Sequence, residues 1–151
     1  MKKSKLITAG IIVAALVLIV VAVAGVNNRA ISLEEQISGA EAQISVAEKR
    51  RVDLIYNLVD TVTAYQEYEG ETMLAITEAR AAAQAGNADE AMTVLNAVSE
   101  QYPELKANEN YQQLMTELAM TENSIAQYRN TYNEQEKAYN KFVRQFPHHI
   151  I

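Results

Sequence analysis

The chain has 151 residues, a formal net charge of -6 and no cysteine. Lys2, Lys3 and Lys5 precede a long apolar segment, and removing them from the 13 basic residues leaves 10 against 19 acidic residues, a net charge of -9. Such a surface repels phosphate groups, which argues against a nucleic-acid partner. The lack of cysteine excludes disulfides, a thiolate nucleophile and cysteine metal ligands.

Residues 6–26, LITAGIIVAALVLIVVAVAGV, contain no charged side chain. About 21 residues make about 31 Å of helix, which matches the hydrocarbon core of a bilayer. We therefore predict that residues 1–29 are a basic start and a transmembrane anchor.

The charges that flank the anchor predict its orientation. Three lysines precede it and only Arg29 follows closely, so the positive-inside rule predicts a single-pass protein of the cell membrane with a cytoplasmic N-terminus and an extracytoplasmic remainder. Cleavage as a signal peptide is the alternative, since Ala22-Val23-Ala24 matches the small-x-small pattern. The apolar segment is longer than the about 7 to 15 residues of a signal-peptide core, which favours a retained anchor.

Residues 30–85 are predicted to form one long helix, because apolar residues recur at steps of three and four and only Gly39 and Gly70 weaken the pattern. No loop signal separates this helix from the anchor, so we expect the two to be continuous and to form a stalk. The part of the pattern nearest the membrane is called the proximal stripe, and it consists of Leu33, Ile37, Ala40, Ile44 and Ala47.

Two further helices are predicted over residues 88–101 and 109–146. Gly86 suits a helix C-cap with positive φ, and Asn87 and Asn108 suit the starts of the second and third helices. Pro147 ends the third helix, and residues 148–151 form a tail. The prediction is an all-α fold, an up-and-down bundle of three main helices within residues 30–147. The direction of the third helix stays open, because seven connecting residues can span about 23 Å.

Several polar residues occupy positions that the apolar spacing turns toward a helix seam. We predict that they form interhelical pairs that fix the register, because charges directed at a seam must be paired. The alternative is that they lie at the edge of the seam in water, on extended stems. These residues are Arg51, Asn57, Glu122, Asn123 and Arg129.

Four segments resemble, in order, the successive motifs of the LemA family: RRVDLIYNLVDTV, ITEARAA, YPELKANENYQQL and TENSIAQYRNTYNEQEKAYNKFVRQFP. The resemblance covers residues 49–147 and implies a membrane-anchored protein with a helical bundle outside the membrane and no agreed catalytic residues. Tyr56 departs from the family pattern, in which proline is common at this position, and tyrosine allows the helix to continue straight. Members usually also extend beyond the FP motif with a further apolar and aromatic segment, which is not in this sequence.

No motif for catalysis or for a cofactor is visible. His148 and His149 are adjacent, so they point in different directions and do not match the i, i+4 spacing of helical zinc ligands. There is no glycine-rich phosphate loop and no serine framed by glycines. We therefore predict that the chain is not an enzyme and takes neither a metal nor another cofactor.

The predicted helix lengths leave the proximal stripe uncovered, because the second helix is less than half as long as the first. An exposed apolar stripe predicts a partner. Our leading hypothesis is a structural or interaction protein of the cell envelope that contacts membrane lipid and self-associates, through its hydrophobic helix and the proximal stripe, into a homo-oligomer or a filament. The stripe could instead dock another envelope protein. The alternative function is a monomeric, membrane-tethered adaptor or sensor whose acidic bundle binds another envelope protein.

Overall fold

The computed structural model describes residues 2–64 and 70–145, with side chains from Ile7 onward. Every regular element in these residues is a helix: α1 (Lys2–Thr63), α2 (Gly70–Gln84), α3 (Ala88–Gln101), α4 (Pro103–Lys106) and α5 (Glu109–Arg144). The all-α prediction is therefore confirmed. The chain divides into two compact units, a larger one of Ala42–Arg129 and a smaller one of Met1–Glu41 with Asn130–Ile151.

The core of the larger unit is centred on the last turns of α1. Five aliphatic side chains there are almost fully buried, and they lie on more than one side of the helix: Leu54, Ile55, Leu58, Val59 and Val62. Side chains from α2, α3, α4 and α5 pack around them, including Ile76, Ala79, Leu95, Val98, Leu105, Tyr111 and Leu118. Burial on several sides requires neighbours on several sides, so this part of α1 lies between other helices.

The predicted single helix over residues 30–85 is wrong. The first helix ends at Thr63, and α2 begins at Gly70. Arg80 of α2 forms an ion pair with Asp60 of α1, whereas 20 residues on one continuous helix would separate them by about 30 Å. The chain therefore turns back, because covering Leu58, Val59 and Val62 removes more apolar surface from water than continuing the helix would.

Glycine and asparagine form the turn between α2 and α3. Gly86 has a φ of 83°, its N–H donates to Ala83 O at 3.1 Å, and the Asn87 N–H donates to Ala82 O at 2.9 Å. These two bonds make a Schellman motif, which needs a residue with positive φ and favours glycine there. The side chain of Asn87 bonds to Glu90 at 3.3 Å and does not cap α3. Asn108 does cap α5, since its Oδ1 accepts the Tyr111 N–H at 3.1 Å.

In the larger unit, α5 runs antiparallel to α1, which answers the question that the sequence left open. Asp60 lies beside Asn110 in one surface depression, and Glu48 contacts Arg129 at 2.8 Å. A step toward the N-terminus of α1 therefore corresponds to a step toward the C-terminus of α5. The α1 helix continues without a break at Tyr56, as expected from the absence of proline there.

The smaller unit overturns the expectation that the proximal stripe is uncovered. Leu33 and Ala40 are buried there, and Ile37 is half-buried. Tyr139 of α5 donates a hydrogen bond to Glu34 at 2.8 Å, which places the C-terminal part of α5 against this part of α1. In the larger unit, Ala47 is buried and Ile44 is half-buried. The expectation was wrong because the sequence did not fix the direction of the third helix.

Two tyrosines of the larger unit give a matched test of hydrogen bonding in the core. The hydroxyl of Tyr111 is buried without a hydrogen-bond partner among the described residues, whereas the hydroxyl of Tyr102 lies 3.3 Å from Thr72 Oγ1. We expect Tyr111→Phe to leave the free energy of unfolding unchanged or to raise it, because it removes a desolvated hydroxyl. Tyr102→Phe should lower the free energy by about 1 kcal/mol. Thermal unfolding followed by circular dichroism measures both, and a loss in Tyr111→Phe as large as in Tyr102→Phe would contradict the assignment.

Candidate functional site

Arg51 links three helices of the larger unit. Its guanidinium lies 3.3 Å from Glu122 of α5 and 3.7 Å from Asp89 of α3. The Arg51 side chain is only 19% exposed, whereas both carboxylates face water. The sequence left open whether such residues pair between helices or lie at the edge of the seam in water. Arg51 does the first, and its two carboxylate partners lie at the water-exposed edge.

The other predicted seam residues behave differently from one another. Arg129 of α5 pairs with Glu48 of α1 at 2.8 Å, which is an interhelical pair. Asn57 and Asn123 are exposed, and their side chains form no interhelical hydrogen bond within the described residues. Each lies one position, about 100° of helix, from a residue that faces the seam, which directs it toward water.

The neighbouring arginine, Arg50, lies on a different side of α1 from Arg51. Its side chain is 65% exposed and pairs with Glu117 of α5 at 3.4 Å. The two adjacent arginines therefore do not form one cationic site. Arg51 joins the bundle, and Arg50 lies on its surface.

A groove of about 530 Å³ lies between α1 and α5 beside Arg50, and it is called the α1–α5 groove below. Two large apolar side chains, Val46 and Met120, are 71% and 62% exposed in the chain. Small side chains and the Arg50–Glu117 pair complete the lining, which consists of Ala42, Gln43, Val46, Ala47, Arg50, Glu117, Met120, Thr121, Ser124 and Tyr128. Sequence reasoning missed this groove, although Val46 and Met120 are apolar residues outside the stripes and could have indicated a second apolar face.

The N-terminal part of α1 has a surface of different character. Its large aliphatic side chains from Ile7 to Val23 are between 37% and 69% exposed, and they occur on every side of the helix. Among the described residues, one helix is long and apolar enough to cross a membrane, and it is this one.

In the smaller unit, Tyr139 and Glu34 form a polar contact. The hydrogen bond from the phenol to the carboxylate raises the pKa of Tyr139, and the negative charge of Glu34 raises it further. Both effects favour the neutral phenol over the phenolate. In the described part of the chain, no three His, Asp or Glu side chains lie close enough together to hold a metal ion. His148 and His149 lie outside the described residues.

Comparison with known proteins identifies the family. The family model of the LemA family matches residues 40–151. The chain belongs to the LemA family. This confirms the resemblance seen in the four sequence segments, and the LemA family is not a known enzyme family.

The chain is also 30% identical over 134 residues to Protein LemA of Metamycoplasma hominis. That alignment covers 81% of the chain and 61% of the relative, so the chain spans less than two thirds of the relative's length. The LemA match contains Arg51 and the α1–α5 groove, whereas the apolar segment that begins at Ile7 precedes it.

The two adjacent arginines provide a test of the three-helix contact in this LemA protein. Arg51→Ala should lower the free energy of unfolding by about 1–2 kcal/mol, mainly because it removes the packing of a largely buried stem, with a smaller loss from its pairs with two water-exposed carboxylates. Arg50→Ala is the matched control and should cost less than about 1 kcal/mol, as expected for an exposed ion pair. Thermal unfolding of both variants measures the difference, and equal losses would show that Arg51 does not join the helices.

The pKa of Tyr139 provides a second test. Glu34→Gln should lower this pKa toward the ordinary value of tyrosine, as measured by NMR titration of the ring carbons. Glu35→Gln is the control, because Glu35 is an exposed neighbouring carboxylate. Since the folded-state pKa is raised, the stabilisation from this contact is fully present below the ordinary tyrosine pKa and is lost as the pH rises through the raised value. An identical titration in the parent chain and in Glu34→Gln would contradict the contact.

Proposed function

We propose that this chain is a membrane-anchored helical interaction protein of the cell envelope, with the N-terminal part of α1 as its single anchor. The observation that carries the proposal is the uncovered apolar surface of this segment. Lipid is the first partner that the proposal requires, and the bundle provides the surface for protein partners.

The size of the uncovered surface is the main support for an anchor. Each fully buried aliphatic side chain contributes about 1.5–3 kcal/mol relative to exposure, and the surface continues through Ile7, Ile11, Ile12, Val13, Leu16, Val17, Leu18, Ile19, Val20, Val21 and Val23. Contiguous apolar surface of this extent is unfavourable in water, whereas acyl chains can cover every side of the helix. A helix also satisfies its own backbone hydrogen bonds, as the bilayer interior requires.

The distribution of charge supports one orientation of the anchor. Lys2, Lys3 and Lys5 stand before the apolar segment, and the chain after it is strongly acidic. By the positive-inside rule the N-terminus lies in the cytoplasm, and the bundle lies on the extracytoplasmic side of the cell membrane.

Self-association is the interaction that we propose for the anchored protein. It uses the hydrophobic helix but not the buried residues of the proximal stripe. The proximal stripe packs within the chain, since Leu33, Ala40 and Ala47 are buried. A partner could reach Leu33 and Ala40 only by displacing the part of the chain that covers them, whereas Ala47 also lines the α1–α5 groove. The hydrophobic helix and the α1–α5 groove are apolar surfaces that the described part of the chain leaves uncovered, so self-association through them requires no rearrangement.

The adaptor hypothesis has a separate support, which is the net charge of -9 after the N-terminal lysines. A basic envelope protein would be attracted to such a surface, and the attraction would weaken with added salt. The mass of the full chain in mild detergent distinguishes the two functions, because an adaptor is monomeric in the absence of its partner.

The anchor is tested with two lysines at its centre, Leu16→Lys with Ile19→Lys, and with Leu74→Lys as the matched control. Leu74 is 67% exposed on α2, so it is apolar and accessible but lies outside the anchor. Each central lysine costs about 2.5–3.5 kcal/mol of membrane insertion, so the double variant should lose about four to five orders of magnitude in partition into lipid. Flotation of the full chain with phosphatidylcholine vesicles measures this. The control should float like the parent, and flotation of the double variant to the same extent would overturn the anchor.

A further inference from the structure

We propose that the α1–α5 groove is occupied by the same groove of a second copy of this chain, so that two α1–α5 pairs form a four-helix bundle. The inference rests on the proposed function, because anchoring in one membrane raises the local concentration of copies. It assigns the contact to residues 42–50 and 117–128, which do not overlap with the anchor.

The groove lies on the side of the bundle that α2 and α3 leave open. Arg51 faces α3 through Asp89, and Val46 is five positions away, about 140° around α1. On α5, Glu122 faces Arg51, and Met120 is two positions away, about 160° around the helix. The two exposed apolar side chains of the groove therefore point away from the α2–α3 side of the larger unit.

The lining of the groove suits a helical partner. Val46 and Met120 project from the two helices, and small side chains lie between them, including Ala42, Thr121 and Ser124. Small residues let a neighbouring helix approach to the usual interaxial distance of about 8–10 Å. Burial of the two large side chains would supply the apolar centre of a helix–helix contact.

The charge of the groove allows an acidic chain to bind a copy of itself. As whole molecules two copies repel one another, since each carries 19 acidic and 13 basic residues. The charged residues that line the groove are one arginine and one glutamate, so their charges balance. No excess of negative charge in the groove therefore opposes the approach of a second copy.

The position of the Arg50–Glu117 pair is complementary under two-fold symmetry. Because the Arg50 guanidinium and the Glu117 carboxylate are in contact at 3.4 Å, the two charged groups lie at nearly the same height along the α1–α5 pair. A two-fold axis parallel to the helices preserves this height and places Arg50 beside Glu117 of the second copy. The four charges then alternate in sign around the bundle, and every pair of neighbouring helices is antiparallel, as in up-and-down four-helix bundles.

Both side chains can make the additional contact. Arg50 has five N–H donors in a planar group and is 65% exposed, and Glu117 has two acceptor oxygens and is partly exposed. The intermolecular pair can therefore form without breaking the intramolecular one. The interface is isologous, since the same surface is used on both copies, and it closes at two subunits.

The test mixes two charge reversals, Arg50→Glu in one population of full-length chains and Glu117→Arg in another. Each population alone places four like charges around the bundle, and we expect its association to weaken at least about tenfold. In the mixture, the all-negative copy meets the all-positive copy, and association should return to near the parent value. The intramolecular pair stays broken in both copies, so restoration can come only from an intermolecular contact.

Energy transfer in phosphatidylcholine vesicles measures the association. The chain has no native cysteine, so Glu100→Cys on the exposed side of α3 gives a single labelling position in every variant. The control is the Asp60–Arg80 pair between α1 and α2, where Asp60→Arg and Arg80→Glu should leave association unchanged both alone and mixed. A monomeric parent chain, or a mixture that associates no better than its separate components, would overturn the proposal.

A second pair of variants tests the apolar part of the contact independently of the charges. Val46→Asp should weaken association at least about tenfold, because it places a carboxylate in the centre of the interface. Leu74→Asp, at a similarly exposed apolar position on α2, should have no effect, and equal effects would overturn the groove as the interface. Flotation of the same samples separates this result from the anchor, since variants of the groove should all remain bound to vesicles.

Discussion

Five aliphatic residues in the last turns of α1, residues 54–62, set the constraint on which the larger unit depends. They lie on more than one side of the helix and are almost completely buried, so a single neighbouring helix cannot cover them. The α2–α3 hairpin covers one side, and α5 covers another. The turn at Gly86 and the antiparallel course of α5 are both consequences of that requirement, because each brings an apolar face back to the same segment. The side of α1 that remains open carries the α1–α5 groove.

The adjacent arginines show how a helix assigns different roles to neighbouring residues. Arg50 and Arg51 are consecutive in sequence but about 100° apart around α1. Arg51 enters a contact between three helices, where a largely buried cation is balanced by two carboxylates. Arg50 stays at the surface with one partner, where an ion pair contributes little to stability and is available for a further contact. The two adjacent arginines therefore form neither one cationic site nor one solvent-exposed surface.

Apolar side chains are buried within the chain in one part of α1 and exposed in another. The proximal stripe is covered within the chain, and Tyr139 adds a polar contact to Glu34 at its edge. The segment from Ile7 to Val23 has no cover from the described residues. A two-helix contact can bury a narrow stripe but not a helix that is apolar on all sides, which is why a bilayer fits the N-terminal segment. This difference is the reason that the proposed interaction surface moves from the proximal stripe to the groove.

The sequence alone determined those features that depend on local chemistry. An uncharged segment of about 21 residues, the positive φ of Gly86, the cap at Asn108 and the helical spacing of residues 88–101 each follow from interactions within a few positions. The end of α1 at Thr63, the direction of α5 and the partners of Arg51 and Arg129 were decided only by tertiary structure. Residues 30–85 have the propensity for one helix, but the apolar surface of residues 54–62 gains more from helices folded against it than from further helix in water. The spacing of apolar residues along one helix indicates that a stripe will be buried. It does not indicate which distant helix packs against the stripe or whether that helix runs parallel or antiparallel to it.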